Sequence, residues 1–353
     1  MADVLRVSAP VVARDADGWR VVATVDGAPL WFASPDVPLE PSAEAYASAV
    51  LPTAFEQGRA VEIVAPLSAA YRASAQEVAT IAGPWWGWTA AGLEGRGQAP
   101  AGVRRPGAAL AFSGGVDSFY SLLRGSRTVD VVVSAHGFDI DVEDIARWAA
   151  WEDSFREIAA ATGTRAVVVR TNLRHHPVST AISWERSHGG ALAALGHLLS
   201  GEVGTLVIAA SSFPADPDYP WGTHPRLDPC WSSDRLAIAQ SGAAHYRAMK
   251  LYMIAGEPLV QRHLRVCWEN RSPMLNCGEC EKCVRTQIGL EVSGRLGEFA
   301  VFAPGPPLVE RIDALPPLAR WTVRIYQELL RGGPSPDVSL AVQRLIERTI
   351  VAP

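Results

Sequence analysis

A short run of small and polar residues in the middle of the chain has the composition of an anion-binding loop. The run reads Ser113-Gly114-Gly115-Val116-Asp117-Ser118. It follows an apolar stretch, residues 108–112, that predicts a buried strand, and it opens a periodic stretch, Val116 to Leu123, that predicts a helix. The unpaired N–H groups and the positive dipole end of that helix would face a bound phosphate.

Each residue type in this run has a separate chemical use. Gly114 and Gly115 lack the Cβ atoms that would hold an anion away, and Ser113 and Ser118 add hydroxyl donors. Asp117 would repel a phosphate unless a cation lies between them, so the run also predicts Mg²⁺. The lysine of a Walker A loop is absent. A strand-to-helix turn that happens to use Ser and Gly is the alternative.

Four of the five cysteines lie close together in the sequence. Cys267 is followed by Cys277, Cys280 and Cys283, with two residues between each of the last three. Such gaps allow tight turns to bring thiolates to one tetrahedral ion, and a site of four cysteines has no open coordination position. The spacing therefore predicts structural zinc that pins the C-terminal segment. An iron–sulfur cluster and a redox CxxC pair are the alternatives.

Length and composition limit the class of protein. The 353 residues leave room for one large domain or two ordinary ones, and 48% apolar with 20% charged residues are typical of a globular protein with a large core. The net charge of −5 gives no support to a broad nucleic-acid footprint. The start of the chain does not read as a secretion signal and no stretch of about 18 apolar residues occurs, so we expect a cytoplasmic protein without a membrane span.

The pattern of apolar segments predicts the elements that position these residues. From residue 108 short apolar strands alternate with helices, which is typical of an α/β domain with a parallel sheet. Earlier segments of alternating polarity predict a separate α+β domain with a small antiparallel sheet. We expect this domain at residues 1–100, a linker at 101–107, the α/β domain at 108–292 and a helical C-terminal segment at 293–353.

The strand ends supply further candidate site residues, because ligands of parallel sheets bind beyond the carboxyl ends of the strands. The second strand ends in Ala135-His136-Gly137-Phe138, where His136 either binds the ligand or is a satisfied loop histidine. Arg174 follows the third strand and suits the charge that gathers on a phosphorus under attack, with a solvated surface arginine as the alternative. A Pro-rich stretch, residues 213–228, predicts a lid or binding loop. Ser232-Ser233-Asp234 predicts the start of another helix.

The loop at residues 113–118 matches the SGGxDS signature of the PP-loop ATP pyrophosphatases, and the middle of the chain resembles that family. With the later pattern C-W…N-C-G-x-C-x-x-C-x-R, residues 108–290 are similar to the 7-cyano-7-deazaguanine synthases within it. The matching positions outside the four cysteines are Ser113, Gly114, Gly115, Asp117, Ser118 and Arg285. The resemblance implies a fold of the adenine nucleotide alpha hydrolase (HUP) type. It does not extend to residues 1–100 or to the tail after Val292.

The resemblance also implies a reaction. PP-loop enzymes transfer AMP from ATP to a substrate oxygen, release pyrophosphate and let a nucleophile displace AMP. Residues 113–118 would bind pyrophosphate, with Asp117, Ser118 and Arg174 as catalytic residues, Asp117 holding Mg²⁺, and Ala135–Phe138 lining the adenine pocket. The expected enzyme is an AMP-forming ligase that joins nitrogen to a carboxylate or amide of a small molecule or peptide. The acceptor itself is not predicted, because the substrate-facing segments of the synthases do not visibly recur.

Two other functions stay open on the sequence. An RNA sulfurtransferase of the PP-loop type would use Cys277, Cys280 or Cys283. A nucleotide-gated interaction module would instead dock a protein partner or a second copy of the chain through residues 1–100. No glutaminase-like pair of cysteine and histidine lies outside the cysteine cluster, so ammonia or an amine would come from elsewhere.

Overall fold

The computed structural model describes residues 3–15, 18–211 and 219–351. Residues 213–218 of the predicted lid lie outside this part of the chain. Contacts divide the chain into two compact units. Unit 1 is Met1–Ser113, Arg124–Asp144 and Ala159–Ala244, and unit 2 is Gly114–Leu123, Ile145–Ile158 and His245–Pro353. The domain boundaries expected from the sequence stay a prediction.

The strands of the described residues form one 11-stranded sheet, which lies in unit 1. Their bounds are β1 Val4–Val7, β2 Val11–Asp15, β3 Gly18–Val25, β4 Ala28–Ser34, β5 Ala60–Ile63, β6 Leu93–Gly95, β7 Ala108–Ala111, β8 Val131–His136, β9 Arg165–Thr171, β10 Thr205–Ala209 and β11 Ala237–Ser241. The order across the sheet is β11-β10-β7-β8-β9-β4-β3-β1-β5-β6, and β2 pairs with β3.

Five neighbouring strands make a parallel block. β9, β8, β7, β10 and β11 run parallel, which is the 3-2-1-4-5 order of a doubly wound sheet. The direction of the winding changes between β7 and β10, and sheets of this kind bind ligands at that point. The predicted α/β class with a largely parallel sheet is confirmed, and Ser113 follows the strand at which the order reverses.

The N-terminal strands extend this sheet and do not form a sheet of their own. β4 pairs antiparallel with β9, with Phe32 opposite Thr171. The Thr171 hydroxyl donates to the Trp31 carbonyl at 2.8 Å, and the Trp31 N–H donates to the side chain of Asn172 at 3.0 Å. Alternating polarity predicted the strands, but it carries no information about which distant edge a strand joins.

Twelve helices are assigned in the described residues. They are α1 Ala43–Gln57, α2 Ala69–Trp86, α3 Val116–Arg124, α4 Ile145–Thr162, α5 Pro177–Thr180, α6 Trp184–Leu198, α7 Arg247–Ile254, α8 Pro258–His263, α9 Glu281–Val292, α10 Leu308–Asp313, α11 Arg320–Arg331 and α12 Pro336–Val351. In unit 1, α1 packs on α6, and alternate strand residues such as Val133, Val167 and Ile208 share one apolar core with them. Within the described ranges, no helix combines the length and the apolar character that crossing a membrane needs.

The prediction of a helix that starts at residues 232–234 is wrong. The chain forms a 3₁₀ turn at Asp228–Trp231 and then continues into β11. The Ser233 hydroxyl oxygen accepts the N–H groups of Arg235 and Leu236 at 3.2 and 3.1 Å. The serine therefore closes a tight turn into a strand, which is the other common use of a hydroxyl at such a position.

Candidate functional site

The predicted anion-binding loop joins β7 to α3. β7 ends at Ala111 and α3 begins at Val116, as the sequence predicts. The division between the units falls after Ser113, which is exposed. Gly114 has φ +76°, and a Cβ there would collide with the ring of Trp151 on α4. Only glycine satisfies both conditions, so the large ring packs directly on the loop backbone.

Ser118 orders the loop from inside. Ser118 is 3% exposed, and its hydroxyl donates to the Gly115 carbonyl at 3.0 Å. The Phe119 N–H donates to the same carbonyl at 2.9 Å. These bonds close the first turn of α3 and leave the earlier N–H groups of the loop outside the helical bonding pattern. A direct contact of Ser118 with an anion stays a prediction.

Asp117 pairs with two cations of α7. Lys250 Nζ donates to Asp117 Oδ1 at 3.0 Å, and Arg247 Nη1 donates to Oδ2. Lys250 is 1% exposed and Asp117 is 8% exposed. Burial alone would raise the pKa of the Asp117 carboxyl, but the charges of Arg247 and Lys250 outweigh it and lower the pKa. Asp117 is therefore a buried, ionised carboxylate.

Further positive charge surrounds this ion pair. Lys282 on α9 also lowers the pKa of Asp117. Burial lowers the pKa of the Arg247 guanidinium, and the charge of Arg285 lowers it further. The charges of Asp117 and Glu281 act in the opposite direction and raise this pKa. The second terminal nitrogen of Arg247, Nη2, is buried and has no hydrogen-bond partner among the described residues. An anion with several oxygens would supply that partner.

A fifth cation lies against the loop itself. The backbone N–H of Arg265 donates to the Gly114 carbonyl at 2.9 Å, and its guanidinium carbon lies 5.8 Å from the centroid of the Trp151 ring. Arg265 is 4% exposed. We use the name basic cluster for the five cations of unit 2 described so far, which are Arg247, Lys250, Arg265, Lys282 and Arg285.

Of the basic cluster, the sequence singled out only Arg285, although a signal for the two lysines was available. The chain contains only two lysines, Lys250 and Lys282, among 32 basic residues. Lys250 bonds to Asp117, and the charge of Lys282 acts on the same carboxylate. Both ammonium groups of a chain that otherwise uses arginine therefore act on one residue of the loop.

Two predicted strand-end residues meet on one aromatic ring in unit 1. The guanidinium carbon of Arg174 lies 4.5 Å from the centroid of the Trp184 ring, and Phe138 meets that ring edge-on at 5.0 Å. Burial lowers the pKa of Arg174, while the charges of Asp139 and Asp141 raise it. The half-buried, stacked guanidinium differs from the solvated surface arginine of the alternative. Trp184, which joins these residues, was not singled out from the sequence.

The other predicted residues of this strand end have structural contacts. His136 is fully buried, and its Nε2 donates to the Asp141 carbonyl at 2.9 Å. Gly137 has φ +109°, and a Cβ there would collide with the Thr171 carbonyl. The Nε2 bond gives His136 a structural contact, and its role in binding a ligand stays a prediction. The role of Ala135–Phe138 in an adenine pocket stays a prediction.

The four predicted metal ligands come together in unit 2. Their sulfur atoms lie within 4.8 Å of one another, all four residues are buried, and none forms a disulfide. The Sγ atoms of Cys267 and Cys280 are 3.8 Å apart, and those of Cys277 and Cys283 are 3.9 Å apart. Thiolates at about 2.3 Å from a tetrahedral zinc ion are separated by about 3.8 Å. The cluster could therefore hold one metal ion such as zinc.

Backbone N–H groups donate to two sulfurs of this cluster. The N–H groups of Asn270 and Cys280 donate to the sulfurs of Cys267 and Cys277, each at 3.3 Å. Hydrogen bonds from Cys280 and Cys283 lower the pKa of the Cys267 thiol far below its ordinary value. The hydrogen bond to Cys267 is in turn the largest cause that raises the pKa of the Cys280 and Cys283 thiols. The thiolate, which carries a negative charge on sulfur, is the form of cysteine that binds a metal.

Comparison of the chain with known protein families, with curated proteins and with solved structures finds no match. The resemblance to the PP-loop family therefore rests on the loop and the cysteine spacing.

Proposed function

We propose that the chain is an ATP-dependent ligase that adenylates a carboxylate or amide oxygen of a small molecule or peptide and then forms a carbon–nitrogen bond. The observation that carries this proposal is the SGGVDS loop after a parallel strand, with the buried Lys250 and the half-buried Arg247 bonded to Asp117 in the first turn of its helix. Backbone amides, a helix dipole and two cations are together complementary to pyrophosphate.

In the first step the acceptor oxygen attacks the α-phosphorus of ATP. The new oxygen–phosphorus bond forms while the bond from that phosphorus to the bridging oxygen breaks, and pyrophosphate leaves with the electron pair. The N–H groups of residues 114–118 bind the leaving group, and Arg247 and Lys250 offset its growing charge. The roles of Arg174 and of Ala135–Phe138 toward ATP stay predictions from the resemblance.

In the second step nitrogen replaces AMP. Ammonia or an amine attacks the activated carbon, AMP leaves with the carbon–oxygen electron pair, and the nitrogen loses a proton to give an amide. An adenylated primary amide would instead lose AMP and its N–H protons to give a nitrile.

Asp117 exchanges partners in this scheme. Its carboxylate pairs with Arg247 and Lys250 in the structure. Phosphate oxygens would compete for both cations, and the released carboxylate would then hold Mg²⁺. The released Asp117 would supply one carboxylate ligand, and phosphate oxygens and water would supply the others. Bound Mg²⁺ would neutralise phosphate charge.

The burial of the four thiols weighs against the sulfurtransferase alternative. None of Cys267, Cys277, Cys280 and Cys283 is more than 3% exposed. A cysteine that carries sulfur to an RNA has to be reached by its substrate. Buried thiols that lie in contact with one another are better suited to holding a metal ion.

The proposal is tested by the products formed from ATP. The chain is incubated with γ-labelled ATP, Mg²⁺, ammonium and a panel of carboxylic acids. We expect labelled pyrophosphate and AMP in equal amounts, and only with a competent acid. Lys250→Met should lower the rate, and the control Arg344→Met, which removes an exposed pair with Asp313, should not. ADP as the sole nucleotide product would contradict the proposal.

A further inference from the structure

The backbone of residues 264–267, held by hydrogen bonds on both sides, connects the cysteine cluster of unit 2 to the predicted anion-binding loop at Gly114. Asn276 directly precedes Cys277 and is fully buried. Its side-chain oxygen accepts the N–H groups of Val266 and Cys267 at 2.7 and 3.2 Å. Its side-chain nitrogen donates to the carbonyls of Leu264 and Val301 at 2.7 and 3.1 Å. One amide thus uses its full bonding capacity.

The segment that Asn276 holds is the one that touches the loop. Arg265 lies between Leu264 and Val266, and its N–H donates to the Gly114 carbonyl at 2.9 Å. The Cβ of Arg265 also lies close to Gly114, and the ring of Trp151 packs on the same glycine. A shift of this segment would move the Gly114 peptide and with it the N–H groups that follow.

The cysteine cluster closes the same segment from its other end. Cys267 is two residues after Arg265, and its sulfur pairs with that of Cys280 at 3.8 Å. Cys277 is adjacent to Asn276, and its sulfur accepts a hydrogen bond from the Cys280 N–H at 3.3 Å. A metal bound by the four thiols would fix Cys267 and Cys277 relative to each other, because its bond lengths and angles are narrowly defined.

We propose that a metal ion in the cysteine cluster and the side chain of Asn276 together set the conformation of the Gly114 loop, so that metal occupancy governs the affinity for pyrophosphate. Asn276 is a positioning residue in this scheme, since it acts on the loop through residues 264–267. The inference rests on the proposed function, because pyrophosphate is the ligand assigned to the loop.

The test measures magnesium pyrophosphate binding by calorimetry with the full chain. Zinc-loaded wild type is compared with wild type stripped by a chelator and checked for folding by near-ultraviolet circular dichroism. We expect the dissociation constant to rise at least roughly tenfold on stripping, and to return when zinc is added back. Equal affinity of loaded and stripped protein would overturn the inference.

Substitution of Asn276 separates positioning from metal binding. Asn276→Ala keeps all four cysteines, so we expect one zinc per chain together with a roughly tenfold weaker affinity for pyrophosphate. Gln261→Ala is the matched control, because that amide also donates twice, to the Ala255 carbonyl and to Glu298, and has no bond to residues 264–267. Hydrogen exchange should rise at residues 114–118 in the Asn276 variant and not in the control.

The outcomes are distinguishable from one another. If Asn276→Ala fails to fold, the loaded and stripped wild type still decide the matter, and if the stripped protein unfolds, the zinc-loaded Asn276 variant decides it. Unchanged affinity and unchanged exchange in that variant would overturn the inference. A zinc-loaded wild type that binds no pyrophosphate would overturn the proposed function, and this inference with it.

Discussion

Asp117 in unit 2 and Asp228 in unit 1 are both buried carboxylates, and their surroundings shift their pKa values in opposite directions. Asp117 accepts hydrogen bonds from Lys250 and Arg247, and these charges lower its pKa. Asp228 accepts only from neutral groups in the described contacts, the Gln240 amide at 2.5 Å and the His224 N–H at 3.1 Å. Burial raises the pKa of Asp228 to about 7 in spite of both bonds.

The difference shows what the basic cluster does. Burial by itself raises the pKa of a carboxyl in this protein, as at Asp228, and nearby cations lower the pKa of a buried one, as at Asp117. Two cations on Asp117 exceed its single charge, which leaves positive charge beside the loop. The positive charge beside the loop therefore depends on long-range pairing with α7 and not on the loop sequence alone.

The largest effect is expected from Asp117→Asn. Removing one partner of a buried ion pair leaves Lys250 and Arg247 without their carboxylate, which costs about 3–5 kcal/mol in the free energy of unfolding at pH 7. Urea denaturation of the wild type and the variant measures it. Asp313→Asn, which removes an exposed partner of Arg344, should change the free energy of unfolding by less than about 1 kcal/mol. Equal changes in the two variants would show that the buried pair adds nothing.

The same variant has a pH signature. The folded pKa of Asp117 lies below its unfolded value of 3.8, so its contribution is fully present above pH 3.8 and is lost as the pH falls through the folded pKa. The difference in unfolding free energy between wild type and Asp117→Asn should therefore shrink below pH 3.8. A difference that grows toward acid pH would contradict the pairing.

The next effect concerns turnover. Lys250→Met keeps the side-chain volume and removes the charge, and we expect the rate of pyrophosphate release to fall about 100-fold, which corresponds to about 3 kcal/mol of transition-state stabilisation. The thermal midpoint is measured in parallel, so that loss of the folded protein is recognised. A rate within about twofold of the wild type would place the pyrophosphate elsewhere.

Asp228→Asn is expected to act in the opposite direction from Asp117→Asn. Because the folded pKa is raised to about 7 from 3.8, the wild type loses stability as the pH rises through this window. The neutral variant escapes this loss and should be more stable than wild type at pH 8, by roughly 1–3 kcal/mol. Gln240 Oε1 has no hydrogen-bond partner among the described residues, so a flipped Gln240 amide could accept from the new Asn. Urea denaturation at pH 5 and pH 8 checks this, and a variant less stable at pH 8 would contradict it.

The smallest effect is expected from Arg174→Met. Its guanidinium stacks on Trp184 and is only half buried, so its charge acts through a more polar medium than that of Lys250. We expect the rate of pyrophosphate release to fall about tenfold, or about 1.4 kcal/mol. A larger loss than in Lys250→Met would reverse the ranking of the two regions.

Local features of the fold and site were predictable from the sequence. The start of α3 at Val116 and the meeting of the four cysteines follow from short-range periodicity and spacing. The pairing of β4 with β9 and the contact of Lys250 with Asp117, 133 residues apart, depend on tertiary packing. A local pattern can indicate that a strand or a lysine will be buried, but not which distant group it meets.

A crystal structure of the chain with Mg²⁺ and ATP would show whether residues 114–118 bind the phosphates. We expect β- and γ-phosphate oxygens on the N–H groups of these residues, with Lys250 Nζ and Arg247 turned from Asp117 to the phosphates. Phosphates bound elsewhere, with Asp117 still paired to both cations, would contradict it.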